Sequence, residues 1–173
     1  MSDQTKPNDY DRRSEELWAS IDAYDEEVFR AKIEELVAQL PADSPVAAFE
    51  RACALDSTGH PDGAVPFYRR ALELGLEGER RRRAVIQLAS SLRNLGQVSE
   101  SLALLTAELE RPSDRLDDAV SAFLALALVD SGREREATSV AHAALAPHLL
   151  RYQRSLGNYA RELVDGEQGE LQR

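Results

Sequence analysis

Cysteine is nearly absent from this sequence. Cys53 stands alone, which excludes an internal disulfide and any zinc cluster built on several thiolates. Aromatic residues make up only 6%, and no apolar run reaches the ~20 residues needed to span a bilayer. Positive charge is outnumbered, with 21 Lys and Arg against 31 Asp and Glu. The resulting net charge of -10 opposes attraction to nucleic-acid phosphates and to anionic membranes, which both rely on a basic field, so neither is expected as a partner. The start, MSDQTKPNDYDRRSEE, has neither an apolar signal core nor a small-residue cleavage site, and a cytoplasmic location is the expectation.

Chemical motifs are missing too. Neither the phosphate-cradling GxxxxGK nor the dinucleotide-binding GxGxxG occurs, and the many carboxylates are spread too evenly to nominate a catalytic pair. His60 falls in a turn, while His142 and His148 are six apart with Pro147 between them, so the four-residue spacing that sets two ligands on one helical face is not met. No metal, cofactor or enzymatic activity is expected.

What remains is rich in helix formers. Apolar residues make up 43% and charged residues 30%, many of them Ala, Leu, Glu and Arg. A chain of 173 residues fits one domain, and a globule of that size buries about 70% of the surface its unfolded chain exposes. Nine helices are predicted, with no sustained strand alternation. The first spans about Asp11 to Asp22, and the second opens at Asp25 and ends before Pro41. Ser44 and Pro45 read as the N-cap and first residue of the third, because the hydroxyl accepts an orphan amide proton and Pro has none to lose. Helices four to six cover about Asp62–Leu74, Glu79–Leu95 and Val98–Glu110. Ser113 or Asp114 is expected to cap helix seven, which runs to Ser131. Helix eight spans Glu134–Leu145 and helix nine Pro147–Val164. The layout is a flexible start (1–10), one helical domain (11–164) and a frayed tail (165–173).

A repeat organises these helices. Gly59, Gly96 and Gly132 stand 37 and 36 residues apart, each between a longer and a shorter helix. Seven residues before each glycine is a small residue (Ala52, Ala89, Ala125), four before it a leucine (Leu55, Leu92, Leu128), and five after it another small residue (Ala64, Ser101, Ala137). Small side chains let two antiparallel helices approach closely, the leucine fills the next turn, and the glycine lets the pair fold back.

This grammar resembles the tetratricopeptide repeat, a helix-turn-helix unit of about 34 residues. Units correspond to residues 45–74, 79–109 and 113–145, and GHPDGAVPFYRRALELG is similar to the family's second helix, with Ala64, Tyr68 and Ala71 on its packing face. Departures include Phe49, displaced by one position from the family's usual aromatic, its replacement by Val85 or Ile86 and then Ala122, and Glu108 at a position usually small. The chain is similar to divergent small bacterial members of uncharacterised role. The resemblance implies an all-α, right-handed solenoid of hairpins, with the N-terminal helix pair and helix nine (147–164) as end pieces. Helix seven, AVSAFLALALVD, is apolar nearly all round, so helix nine is expected to cover it through Leu149, Leu150, Leu156 and Tyr159.

The resemblance further implies a non-catalytic scaffold that meets a protein or peptide on the inner face of each first helix. Alignment on the glycines places Arg83, Ile86, Ser90, Arg93 and Asn94 there in the second unit, and Phe49, Cys53 and Asp56 in the first. Arg93 and Asn94 have the donors and acceptors to hold a peptide carboxylate or main chain. The run Arg80, Arg81, Arg82 and Arg83 opens helix five, where the helix dipole disfavours cations unless an anion compensates, so an acidic group is a candidate ligand. Against these stand plain alternatives: an ordinary polar helix surface, arginines neutralised by Glu77 and Glu79, and Cys53 as a small buried hydrophobe. Residues 1 to 50 hold 13 acidic against 5 basic side chains, a soluble face or an attraction for a basic partner. Self-association as a homodimer through an edge near Trp18 or the terminal helix is the second reading, and an unfamiliar enzyme the third.

Overall fold

A computed structural model describes residues 9–170, with side chains described to residue 165. The first eight residues of the expected flexible start, and residues 171–173 of the tail, lie outside the described residues. The described residues form nine α-helices and two short 3-10 turns, with no strand among them. Contacts gather into two compact units, Met1–Leu76 and Glu77–Arg173, each taken in turn.

Unit one holds α1 (Asp9–Ala19), a 3-10 turn (Ile21–Ala23), α2 (Glu26–Val37), α3 (Pro45–Ser57) and α4 (Pro61–Glu73). Ser44 caps α3 as expected, its Oγ accepting from the Ala47 amide at 3.3 Å with Pro45 at the first helical position. The α2 face of Phe29, Ile33 and Val37 packs on Ala47 and Ala54 of α3, and Trp18 meets Phe29 edge-on at 5.0 Å. The α3–α4 hairpin closes over Phe49 and Tyr68, whose ring centroids are 6.4 Å apart. Glu50 is buried, and its carboxylate accepts from Ser14 Oγ at 3.1 Å and Trp18 Nε1 at 2.7 Å, which ties α1 to α3.

Unit two holds α5 (Gly78–Asn94), α6 (Val98–Leu109), α7 (Asp117–Asp130), α8 (Glu134–Leu145), a 3-10 turn (Ala146–His148) and α9 (Gln153–Glu170). Ile86 and Ala89 of α5, Leu105 of α6, Val120, Leu124 and Leu128 of α7, and Ala137 of α8 form its core.

The corners fall on the repeat glycines. Gly59, Gly96 and Gly132 take φ of 77°, 78° and 75°, a left-handed conformation that costs glycine no Cβ clash. At each corner the next amide returns to the carbonyl of the repeat leucine: His60 to Leu55 at 2.9 Å, Gln97 to Leu92 at 2.8 Å, Arg133 to Leu128 at 2.9 Å. The leucine four residues before each glycine therefore both packs and accepts the bond that ends its helix. All six small residues of the grammar are buried, with Ala52, Ala64, Ala89 and Ser101 at 0% exposure. Closely approaching helices leave no room there for a larger side chain.

Helix one begins at Asp9, inside the expected flexible start, and ends at Ala19, and two later helix starts differ more. Helix seven begins at Asp117 rather than at a Ser113 or Asp114 cap. Asp114 uses its carboxylate to accept the Leu116 amide at 2.7 Å, and Asp117 accepts from the Asp114 amide at 3.3 Å and from Ser113 Oγ, so residues 113–116 close as a turn. Helix nine begins at Gln153 rather than Pro147, because Pro147 sits in the 3-10 turn and Tyr152 adopts φ 70°. That bend delivers α9 onto α8, not over α7. Ser139 Oγ of α8 donates to the Ala160 carbonyl at 2.6 Å, and Ala160 is buried. Of the residues expected to cover α7, Leu150 and Tyr159 are exposed, while Leu149 and Leu156 are half-buried.

Ending the chain after Ala146 therefore bares α8. Loss of the buried Ala160 and half-buried Leu156, Leu163 and Val164 is expected to cost about 2–4 kcal/mol. A calorimetric midpoint equal to that of the full chain would contradict the packing of α9.

Candidate functional site: the α5–α7 face of unit two

The residues nominated on helix five separate by helical geometry. Of them, Arg83, Ser90 and Asn94 share one stripe, which also takes in Gln87, with Arg83 and Asn94 exposed and Ser90 half-buried. Ile86, at 5% exposure, points instead into the core with Ala89. Phe49 in unit one, at 1%, is likewise a core residue. Asp56 is half-buried and accepts from Tyr68 Oη at 3.3 Å. Burial pushes that phenol well above its ordinary value, with Cys53 and Asp56 nearby adding to the effect, and Cys53 itself is buried.

Arg93 ends α5 and places Nε 2.6 Å from an Asp130 carboxylate oxygen at the end of α7. Both side chains are partly shielded, and the ion pair brings the ends of the two helices together without a well-aligned hydrogen bond from Nε. Beside it, α7 presents Ala122, Leu126 and Val129 to solvent, with Leu126 at 45% and Val129 at 49% exposure. The sequence reading missed this strip, although its signal was present: a helix apolar on every side buries one side and shows the other. Polar α5 and apolar α7 together form a two-toned face. It suits a segment that carries apolar side chains along one edge and hydrogen-bonding groups along the other.

The arginine run behaves differently. Arg81 donates through one nitrogen to both oxygens of Glu108, at 2.5 and 2.6 Å. Arg82 is 4% exposed and reaches Asp117 at 2.5 Å, Asp114 at 3.3 Å, the Pro112 carbonyl at 3.1 Å and Glu108 at 3.7 Å. Carboxylates from α6, α7 and the turn between them thus engage two of the cations nominated for an external anion. Arg83 is exposed and Arg80 half-buried. Glu108, the departure from the family's small residue, is 2% exposed and is bonded by Arg81, while Asp117 and Asp114 are the nearer counter-ions that make burial of Arg82 tolerable.

The Ser113 hydroxyl, the Asp114 amide and the charge of Arg82 hold the Asp117 carboxyl below its ordinary value of 3.8, against the opposing effect of burial. A lowered folded-state value adds stability that is complete above the unfolded value and lost as pH falls through the folded one. The advantage of wild type over Asp117→Asn in urea midpoint is therefore expected to hold near neutral pH and to shrink below the ordinary carboxylate range. A constant advantage down to strong acid would contradict the role of the charged form.

Helical hairpins with glycine corners, repeating at a fixed period and seated on buried small residues, define a helical-repeat protein. The profile described as Tetratrico peptide repeat matches residues 45–163, more than half of the chain, and the chain belongs to that family. The match runs past the three units into α9, in keeping with α9 packing on α8. No curated protein and no solved structure matches at a significant level. Tetratricopeptide repeats are typically non-catalytic modules that mediate protein interactions. Among the described residues no helix is long and apolar enough to cross a membrane, and no three His, Cys, Asp or Glu side chains converge as a metal site would require.

Proposed function

We propose that this chain is a non-catalytic cytoplasmic adaptor that binds a protein or peptide on the α5–α7 face of unit two. The observation that carries the reading is the exposed apolar strip Ala122, Leu126 and Val129, lying beside the polar stripe Arg83, Ser90 and Asn94 in a protein of an interaction family. The face is built on two helices that share a buried core and are bridged by the Arg93–Asp130 ion pair, so a flexible ligand binds without the receptor first having to order itself. Arg93 contributes by holding α5 to α7, while Arg83 and Asn94 offer donors to the ligand's main chain or carboxylates.

Leu126→Glu tests this directly, because a charge at an exposed position leaves the fold intact while opposing an apolar contact. Capture from native lysate with wild type and variant, matched by circular dichroism, is expected to show a partner whose binding falls roughly tenfold or more in the variant. Equal recovery of every partner by the two proteins would remove the α5–α7 face from the account.

A further inference from the structure

The segment that turns α8 into α9 combines features that its own fold does not use. Leu150 is fully exposed and Tyr152 is 77% exposed, although both are large apolar side chains. Tyr152 also takes φ 70°, a left-handed conformation that a bulky residue adopts only when its surroundings impose it. The imposition is visible: Gln153 Nε2 donates to the carbonyls of Pro147 and Leu149 at 2.9 and 2.8 Å, and the Leu156 amide and Ser155 Oγ both donate to the Tyr152 carbonyl. The two side chains are thus presented on a braced turn.

The charge around them is one-sided. Arg151 and Arg154 are exposed, and neither pairs with a carboxylate among the described residues. The adjoining His148 is engaged with Asp118 of α7 at 2.7 Å. The first turn of α9 has no acidic residue, so the positive end of the helix adds to the arginines instead of being offset. In a chain of net charge -10, this is an apolar, basic outcrop.

Unit one carries its complement. Residues 22–28, DAYDEEV, are all exposed, from the 3-10 turn into the start of α2. Tyr24 and Val28 show apolar surface there. Around them Asp22, Asp25, Glu26 and Glu27 have no cationic partner among the described residues, while Lys32 lies over the Tyr24 ring at 4.8 Å. Opposite charge and matching apolar pairs thus occur on two different surfaces of the same chain.

We infer that the Leu150–Arg154 turn of one copy docks on the Asp22–Val28 patch of a second copy. Leu150 and Tyr152 meet Tyr24 and Val28, and Arg151 and Arg154 meet the four carboxylates. Because the two surfaces differ, the contact is heterologous: each added copy leaves one turn and one patch free, so assembly grows with concentration or closes as a ring. These residues are distinct from the α5–α7 face, and the inference stands independently of it.

Sedimentation equilibrium on the full chain, from about micromolar to about millimolar, reads the outcome. Wild type is expected to gain mass with concentration and to lose the gain as salt rises from about 0.05 to about 0.5 M. Glu26→Arg with Glu27→Arg, and separately Arg151→Glu with Arg154→Glu, each weaken association roughly tenfold or more. An equimolar mixture of the two variants regains it, because the intact turn of the first meets the intact patch of the second. That recovery also shows that both variants are folded. A wild type monomeric throughout would assign the turn to a foreign acidic partner and overturn the inference. So would double variants that associate like wild type, or a mixture no better than its components.

Discussion

Replacing Glu108 with alanine is expected to destabilise the protein by about 2–4 kcal/mol, because Arg81 loses both of its hydrogen bonds and the buried Arg82 loses one of its three carboxylate neighbours. Arg82 is 4% exposed, and Glu108 lies against both it and Arg81. With Glu108 gone, Asp117 and Asp114 still reach one end of the Arg82 guanidinium, but Nε on the α6 side is left buried with no counter-charge. A shift of that size lowers the melting midpoint by roughly 10 °C for a chain this long. Arg81→Met with Glu108→Leu removes the hydrogen-bonded pair itself and fills the space with apolar volume while Arg82 keeps Asp117 and Asp114, so the double variant is expected to recover part of the loss. A Glu108→Ala protein that melts with wild type would show that these charge contacts add nothing to stability.

Phe49→Ala is the second large effect, expected to cost about 3–5 kcal/mol through lost burial and the cavity left behind. The ring is 1% exposed and packs against Tyr68 inside the α3–α4 hairpin. A side chain that met a ligand directly would weaken binding and leave stability alone. Phe49→Ala is expected to do the reverse in unit one, read as a fall in urea midpoint with partner recovery per folded molecule unchanged. Reduced recovery with an unaltered midpoint would return Phe49 to a binding role.

These two residues show where the sequence was legible and where it was not. The hairpin corners were readable because glycine and the leucine four residues before it are local signals, and the corner bonds join residues only five apart. Phe49 and Ile86 were assigned to the inner face because one step along a helix rotates a side chain by about 100°, so a displacement of one position exchanges face for core. The arginine network was hidden for another reason. Arg81 and Glu108 are 27 residues apart, and Arg82 and Asp117 are 35 apart, so only the folded chain brings them together. The one local clue was a glutamate where the family keeps a small residue. Helix nine was misplaced because its direction is set by Tyr152 at φ 70°, and no residue preference places a tyrosine there.

Leu126 and Val129 lie between these cases. Helix seven read correctly as apolar on two sides, but the second side was given to helix nine when the chain leaves it open. That open strip is the basis of the proposed function.

Site-specific photo-crosslinking probes it most directly. A photoreactive residue at position 126 on α7 is expected to trap a partner in native lysate, and the same residue at exposed position 141 on α8 is expected to trap none. Equal labelling from the two positions, or labelling from 141 alone, would contradict the assignment of the α5–α7 face as the binding surface.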